Sequence, residues 1–368
     1  MISEQIQKMF GEKFDCTFCD IVSGKITEHP ELILHDNAAT SFKSRILEFE
    51  SIRETVDFVC SFRKRTIAPF KGLASNCDLV IFAGGNSLME LNKVFPGNSR
   101  IMYKRVKEIR KQNIPVAFCF SGVGPFECSA GKRYVKKTLQ LADFISVRDN
   151  KSKALCESLG IKDLNVWRDP VLAYEPKLSE CEPEKIAVNI YFGTNKSLEV
   201  KTLKSYVKLI DGLEKRFPDL KISLFASETA DYKQVMSVYE KFENDDRVES
   251  LSIASPDELF SLYEKSVLVI GARMHSLITA IISGKPIAAI SWQQKVDSFV
   301  NFIGCGQFLI SQEDFCNEPE KLVSLAKKSV DNYSYAEPQI VSSLENVRLD
   351  LDNSLKSFAL NMEDKYGL

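Results

Sequence analysis

The stretch SVLVIGARMHSLITAIISGKPIAAIS, residues 266–291, decides the fold. "SVLVIG" (266–271) and "PIAAIS" (286–291) are short apolar runs rich in β-branched residues, and residues 274–283 between them are apolar with almost no break. Such runs, bounded by Gly and Pro, read as buried strands, and the longer segment between them reads as a helix. Two strands joined by a helical crossover run parallel. A parallel pair needs helices over both faces, so this fragment implies an α/β domain.

The alternation extends outward in both directions. Upstream, "KIAVNIYF" (185–192) and "KISLFA" (221–226) read as strands, with helices near 197–216, 231–243 and 256–265. The helix at Pro256 has a complete start signal: Ser255 as N-cap, proline at the first position and acids in the first turn. Earlier still, "DLVIFA" (78–83), "PVAFCF" (115–120), "DFISV" (143–147) and "LNVWR" (164–168) alternate with helical stretches such as "RIMYKRVKEIRKQN" and "NKSKALCESLG". Between the two series, "EPKLSECEPEK" (175–185) is charged and carries prolines, the composition of a linker. The last fifty residues, from about "DNYSYAEPQ", read as amphipathic helix able to pack back across the first domain. The division is therefore an N-terminal domain over 1–175, a linker over 176–185, a C-terminal domain over 186–330 and a helical tail over 331–368. Both domains are Rossmann-like and doubly wound, with an interdomain cleft.

Composition excludes several classes of function. Lysine and arginine total 48 against 50 acids, a formal net charge of −2, so no global basic field recruits nucleic acid or an anionic membrane, and any anion site must be local. The opening "MISEQIQKMFGEKF" is charged where a signal peptide needs an apolar core, and no apolar run approaches the ~18 residues of a membrane span. The expected compartment is the cytoplasm, with peripheral membrane association left open. The ten cysteines are dispersed and read as small buried apolar residues in a reducing compartment. Only Cys16 and Cys19 in "DCTFCD" are close, and a structural zinc site needs a second pair or nearby histidines. No metal is expected.

In open α/β sheets, ligands bind beyond the carboxyl ends of the strands. "DLVIFA" is followed by Gly84 and Gly85, "PVAFCF" by Ser121, Gly122 and Gly124, and "DFISV" by Arg148 and Asp149. "SVLVIG" leads to Arg273, His275 and Ser276, and "PIAAIS" leads to Lys295. Each has a plain structural alternative. Gly84 and Gly85 suit any tight turn and lack the third glycine of a dinucleotide fingerprint. Arg148 and Asp149 suit a surface ion pair capping the next helix, Lys295 suits a solvated position, and His29 and His35 lie in a polar, loop-like stretch. Arg273 and His275 are harder to explain by structure alone. They fall in the first turn of a helix, where unpaired N–H groups and the positive dipole end favour an anion and disfavour a bare cation.

"GARMHSLITAIISGKPIAAISWQQKVDSFVNFIG" resembles the C-terminal signature of the polysaccharide pyruvyl transferase family: an R-x-H segment, a small-residue helix, G-x-P, an apolar strand and a lysine. "DLVIFAGGNSLME", "VAFCFSGVGP" and "ADFISVRDNKSKALCESLG...RDPVLAY" fall in the order that family shows across its first domain, and the likeness runs from roughly 75 to 305. The resemblance implies a GT-B-like pair of Rossmann domains. It also implies transfer of a pyruvyl group from phosphoenolpyruvate to saccharide hydroxyls as a ketal, in cell-surface polysaccharide biosynthesis. The partners implied are phosphoenolpyruvate and a saccharide or lipid-linked glycan acceptor, with no further cofactor. Arg148 and Arg273 would hold the donor's carboxylate and phosphate across the cleft, with His275 beside them as the proton handler. Gly84, Gly85, Ser121 and Gly122 would line the cleft with Ser276 and Lys295. Family members open with an apolar strand and a G-x-x-N-x-G-D turn, whereas "SEQIQKMFGEKF" resembles the helix after that turn, so the first strand and its loop are expected to be lacking. Two alternatives share the same fold: a nucleotide-sugar-dependent glycosyltransferase, and an inactive binding or scaffold relative.

Overall fold

The computed structural model describes residues 18–19, 26–27, 70, 77–85, 88–94, 96–179 and 181–366. Cys16, His29, His35 and the opening segment compared above with the family's first helix lie outside these residues. The chain divides into two compact units, Met1–Pro170 with Leu349–Leu368, and Val171–Arg348.

In the first unit, β1 (Val80–Ala83), β2 (Val116–Ser121), β3 (Phe144–Val147) and β4 (Asn165–Val166) form a parallel sheet in sequential order. β2 is buried at every position, which is why it reads as an unbroken apolar run. α1 (Asn98–Arg110), α2 (Ser129–Leu139) and α3 (Asn150–Ser158) connect the strands. A short parallel pair, Leu88–Glu90 with Val123–Phe126, flanks the sheet, and Phe18–Cys19 pairs antiparallel with Ile26–Thr27. Phe82, Val106, Phe118, Val135, Val147 and Cys156 belong to one buried cluster that joins helices to sheet. Each fully buried side chain of this size contributes roughly 1.5 to 3 kcal/mol relative to exposure.

The second unit holds six parallel strands: β5 (Lys185–Asn189), β6 (Lys221–Ala226), β7 (Val248–Ser252), β8 (Ser266–Gly271), β9 (Ile287–Ser291) and β10 (Leu309–Ser311). Their order across the sheet is β7-β6-β5-β8-β9-β10, the Rossmann arrangement. α4 (Glu199–Arg216), α5 (Tyr232–Tyr239), α6 (Pro256–Glu264), α7 (Met274–Ile282) and α8 (Gln294–Phe302) make the crossovers. Ser255 caps α6 as read from sequence, its hydroxyl accepting from the Glu258 N–H. α7 lacks amphipathic alternation because it is buried almost all round, from Ser276 to Ile282 without interruption.

β7 and β10 were not foreseen, and both are sheet edges. An edge strand half-covered by protein keeps polar residues, so "VESLS" carries no apolar run to betray it. After α9 (Gln312–Asn317) and α10 (Glu320–Asp331), α11 runs from Tyr333 to Tyr366. Its C-terminal part belongs to the first unit, where Phe358 packs against Phe144 and Trp167 and the Tyr366 hydroxyl donates to Asp143.

Candidate active site

In the second unit β5 and β8 are neighbours, yet the chain proceeds from β5 toward one edge and from β8 toward the other. This reversal is a topological switch point, where diverging loops leave a crevice beyond the carboxyl ends. Asn189 ends β5 and Gly271 ends β8. The Arg273 backbone N–H donates to Asn189 Oδ1 at 3.2 Å, which ties the two loops together. Asn189 is wholly buried, so its amide is fixed by that bond and by donation to the Phe225 carbonyl.

Arg273 is the N-cap of α7, and its side chain is 18% exposed. The Nε and Nη2 groups each donate to Asp231 at 2.8 Å, and Nη1 meets Glu228 Oε1 at 2.9 Å. The guanidinium lies 3.9 Å from the centroid of the Tyr191 ring. Burial works against this charge, but the bonds from Asp231 outweigh it and hold the guanidinium above its usual range. The loop after β6 delivers two acids to the switch point, and Asp231 occupies the Nε edge of the guanidinium. The bonds to Asp231 use two of the guanidinium's five N–H donors, and Nη1 faces Glu228 in an ion pair.

His275 is exposed in the first turn of α7, with its carbonyl bonded by the Thr279 hydroxyl. Ser276 is different. It is wholly buried, its Oγ has no hydrogen-bond partner among the described residues, and that oxygen packs on Gly271, where an added Cβ would lie 2.7 Å away. Ser276 therefore sits at the contact between α7 and β8. Lys295 is half-buried with Nζ 5.8 Å from the Trp292 ring. Trp292 donates from Nε1 to the Ala272 carbonyl at 2.9 Å and meets Tyr191 edge-on at 4.9 Å. Arg273, Tyr191, Trp292 and Lys295 thus form one chain of contacts, with His275 two residues after Arg273 in the first turn of α7.

At the carboxyl edge of the first sheet, the backbone gathers the remaining candidates. Gly84 and Gly85 both have φ of +66°, a conformation that disfavours side chains. The Gly84 N–H donates to the Cys119 carbonyl at 2.7 Å, and the Gly122 N–H donates to the Gly85 carbonyl at 2.9 Å. The Arg148 N–H donates to the Ser121 carbonyl at 3.3 Å. Ser121 is fully buried, and its hydroxyl has no partner among the described residues. The Arg148 side chain is 10% exposed with Nε 3.8 Å from Asp149, whose carboxylate caps α3 by accepting from the Ser152 N–H.

Sequence reasoning missed Asn189, Tyr191, Glu228, Asp231 and Trp292. The signal was available: Tyr191, Glu228, Asp231 and Trp292 lie just past the carboxyl ends of β5, β6 and β9, while Asn189 is itself the last residue of β5. Drawing the strand "KIAVNIYF" through residue 192 hid Tyr191 inside it, whereas β5 stops at Asn189. Among the described residues no three His, Cys, Asp or Glu side chains are grouped to hold a metal ion. No helix among them is long and apolar enough to cross a membrane.

Two Rossmann-like units, each with polar residues gathered at the carboxyl edge of its sheet, define a GT-B-like α/β protein. The chain matches the family model for polysaccharide pyruvyl transferase over residues 4–294, and it belongs to that family. No curated protein matches it in sequence. Among solved structures it is similar to an α,α-trehalose-phosphate synthase (UDP-forming) from Burkholderia vietnamiensis, with TM-score 0.55 and 11% identity over 86% of this chain and 81% of that one. It is similar also to UDP-GlcNAc 2-epimerase from Methanocaldococcus jannaschii, with TM-score 0.52 and 12% identity over 73% and 75%. TarM of S. aureus aligns with TM-score 0.51 and 15% identity over 81% of this chain, which spans only 58% of TarM. At these identities the likeness is one of fold.

Proposed function

We propose that this chain is a transferase that moves the pyruvyl group of phosphoenolpyruvate onto two hydroxyls of a saccharide, releasing inorganic phosphate. The observation that carries the reading is the R-x-H segment at the switch point, in a chain belonging to the pyruvyl transferase family over most of its length. Arg273 is held rigid by Asp231 and Tyr191, so its remaining N–H groups form a preorganised contact for a donor anion. Arg148 supplies a second cation at the carboxyl edge of the first sheet, beside Ser121 and the Gly84–Gly85 turn.

In this reading the donor's methylene carbon takes a proton, and cationic character develops at the carbon bearing phosphate. One sugar hydroxyl adds there and loses its proton. The carbon–oxygen bond to phosphate breaks, and a second hydroxyl adds with loss of its proton to close the ketal. One proton enters the methyl group and the other leaves with phosphate, so the balance closes. His275, exposed beside Arg273, is the group assigned to proton handling, since an imidazole can both donate and accept a proton. Lys295, next to Trp292, is assigned to binding rather than to proton transfer.

The test is incubation with phosphoenolpyruvate and candidate saccharides, following phosphate release and acceptor mass. The reading expects phosphate and a mass gain equal to one ketal. Release of a nucleotide from a sugar nucleotide, with no phosphate from phosphoenolpyruvate, would replace it with a glycosyltransferase.

A further inference from the structure

α1 and α2 lie side by side on the first sheet. Together with Lys111 they carry ten lysines and arginines against one acid, Glu108, in a chain whose formal net charge is −2. Two of the ten turn inward. Arg105 is 6% exposed with its guanidinium 4.8 Å from the Phe70 ring, and Arg110 donates to Asp143 at 2.7 Å. Arg100, Lys107, Lys111, Lys132, Arg133 and Lys137 are exposed. Tyr103 and Tyr134 meet at the seam between the helices, with centroids 5.6 Å apart. Lys107 from α1 and Lys137 from α2 each place Nζ 5.9 Å from the Tyr103 ring. Cations from both helices therefore converge on one aromatic pair.

A second observation lies at the N-terminal end of the same helices. Leu91 and Val94 are 55% and 71% exposed, with the exposed Lys93 between them. Their turn is held in place. The Asn92 N–H donates to Glu90 Oε1 at 3.1 Å and the Val94 N–H to Asn92 Oδ1 at 3.0 Å. Ser99, in the first turn of α1, donates to Glu90 Oε2 from its N–H at 3.3 Å and from its hydroxyl at 2.8 Å. Glu90 is 2% exposed, and Gly131 of α2 packs so closely on it that an added Cβ would come within 2.6 Å. One buried carboxylate thus fixes an apolar tip beside the first turns of both helices.

Apolar side chains held out in water beside a cationic face suit a partner that is both apolar and anionic. Cations and tyrosines alone would suit a phosphate backbone, but a nucleic acid offers nothing to Leu91 and Val94. A bilayer offers both: anionic headgroups for the cations, an interface for the tyrosines and acyl chains for the tip. We propose that the exposed face of α1 and α2, with the Leu91–Val94 tip, docks on an anionic phospholipid bilayer. The helix N-termini and the strand carboxyl ends share one edge of an α/β unit, so docking brings the Gly84–Ser121 edge toward the membrane, where a lipid-anchored saccharide resides. The proposal does not depend on which donor the site uses.

The experiment is co-sedimentation of the full chain with vesicles of phosphatidylcholine alone and of phosphatidylcholine mixed with phosphatidylglycerol, at low and high salt. Binding is expected only to the mixed vesicles and is expected to weaken with salt. Each cation near the surface is worth roughly fivefold in affinity, so Lys107→Gln, Arg133→Gln and Lys137→Gln together should weaken binding on the order of 100-fold. Leu91→Ser with Val94→Ser should remove the part of the binding that survives salt, and Lys204→Gln with Lys208→Gln on α4 should change nothing. All these side chains are exposed, and unchanged thermal unfolding of each variant confirms intact folding. Equal binding to neutral vesicles, or full binding by the triple variant, would overturn the proposal. So would capture of an RNA oligonucleotide, lost in the triple variant, by a chain that ignores both vesicles.

Discussion

Asp231 meets Arg273 with both carboxylate oxygens, one on Nε and one on Nη2, each at 2.8 Å, and only 4% of the Asp231 side chain is exposed. The pair joins the loop after β6 to the start of α7, so it sets where the R-x-H segment stands. Removing one member of a buried pair leaves a charge without its counterion in a low dielectric.

Asp231→Ala is therefore expected to lower stability by about 3 kcal/mol, measured as the urea midpoint at unchanged slope. Asp231→Ala combined with Arg273→Leu should recover more than half of that loss, because no orphan charge remains. Glu228→Gln should cost less than about 1 kcal/mol, since the Glu228 side chain is 56% exposed and its ion pair is screened by water. Equal losses for Asp231→Ala and Glu228→Gln would show that the fork is not clamped from one side.

Binding and chemistry should separate within residues 273–275. Arg273→Lys keeps the charge but loses the planar fork and its grip on Asp231, so phosphoenolpyruvate affinity should fall when followed by calorimetry. His275→Asn should retain most of that affinity while turnover drops about 100-fold or more, as when a general acid is removed. A near-normal rate in His275→Asn would leave the imidazole as a packing or hydrogen-bonding group.

The central strands were legible because burial on both faces writes itself as an apolar run: "SVLVIG" and "KISLFA" coincide with β8 and β6. The charged contacts were not legible, because each is a meeting of distant segments. Asp231 and Arg273 stand 42 residues apart, and nothing in "SETAD" marks its acid as the partner of a later arginine. The burial of Ser276 was not legible for a related reason. Position in the first turn of a helix says that a residue is near the sheet edge, but not whether its side chain faces the ligand or the strand beneath.

The edge of the second sheet supplies a pH prediction. Glu249 on β7 accepts from Lys185 Nζ and from the Ser223 hydroxyl, each at 2.6 Å. Burial pushes its carboxyl up, but these two bonds outweigh burial and hold it below the ordinary carboxylate range. A depressed folded pKa contributes stability above the unfolded value of about 4.3, and that contribution is lost as pH falls through the folded value. Glu249→Gln should accordingly be less stable than wild type at neutral pH, with the gap closing in acid. The side chain is 37% exposed, so the neutral-pH gap should be about 1 kcal/mol or less. A gap that stays constant from neutral to acidic pH would assign the loss to shape rather than charge.

The last prediction concerns how closely α7 must approach β8 for the R-x-H segment to sit at the switch point. Gly271 ends β8, and a Cβ built there would lie 2.7 Å from Ser276 Oγ and 3.1 Å from a methyl of Leu277. Glycine is thus required by close packing of helix on strand, the role of the third glycine in a dinucleotide-binding turn. Gly271→Ala should push the first turn of α7 outward and cost about 1 to 3 kcal/mol, as overpacking does. Ser276→Ala removes the oxygen that an added methyl would strike, and that oxygen has no hydrogen-bond partner among the described residues, so alone it should be close to neutral. The double variant should then be more stable than Gly271→Ala, recovering part but not all of the loss because Leu277 still presses on the new methyl. Additive losses in the unfolding midpoints would show that the two side chains do not compete for the same space, and that Ser276 is held away from β8 in solution.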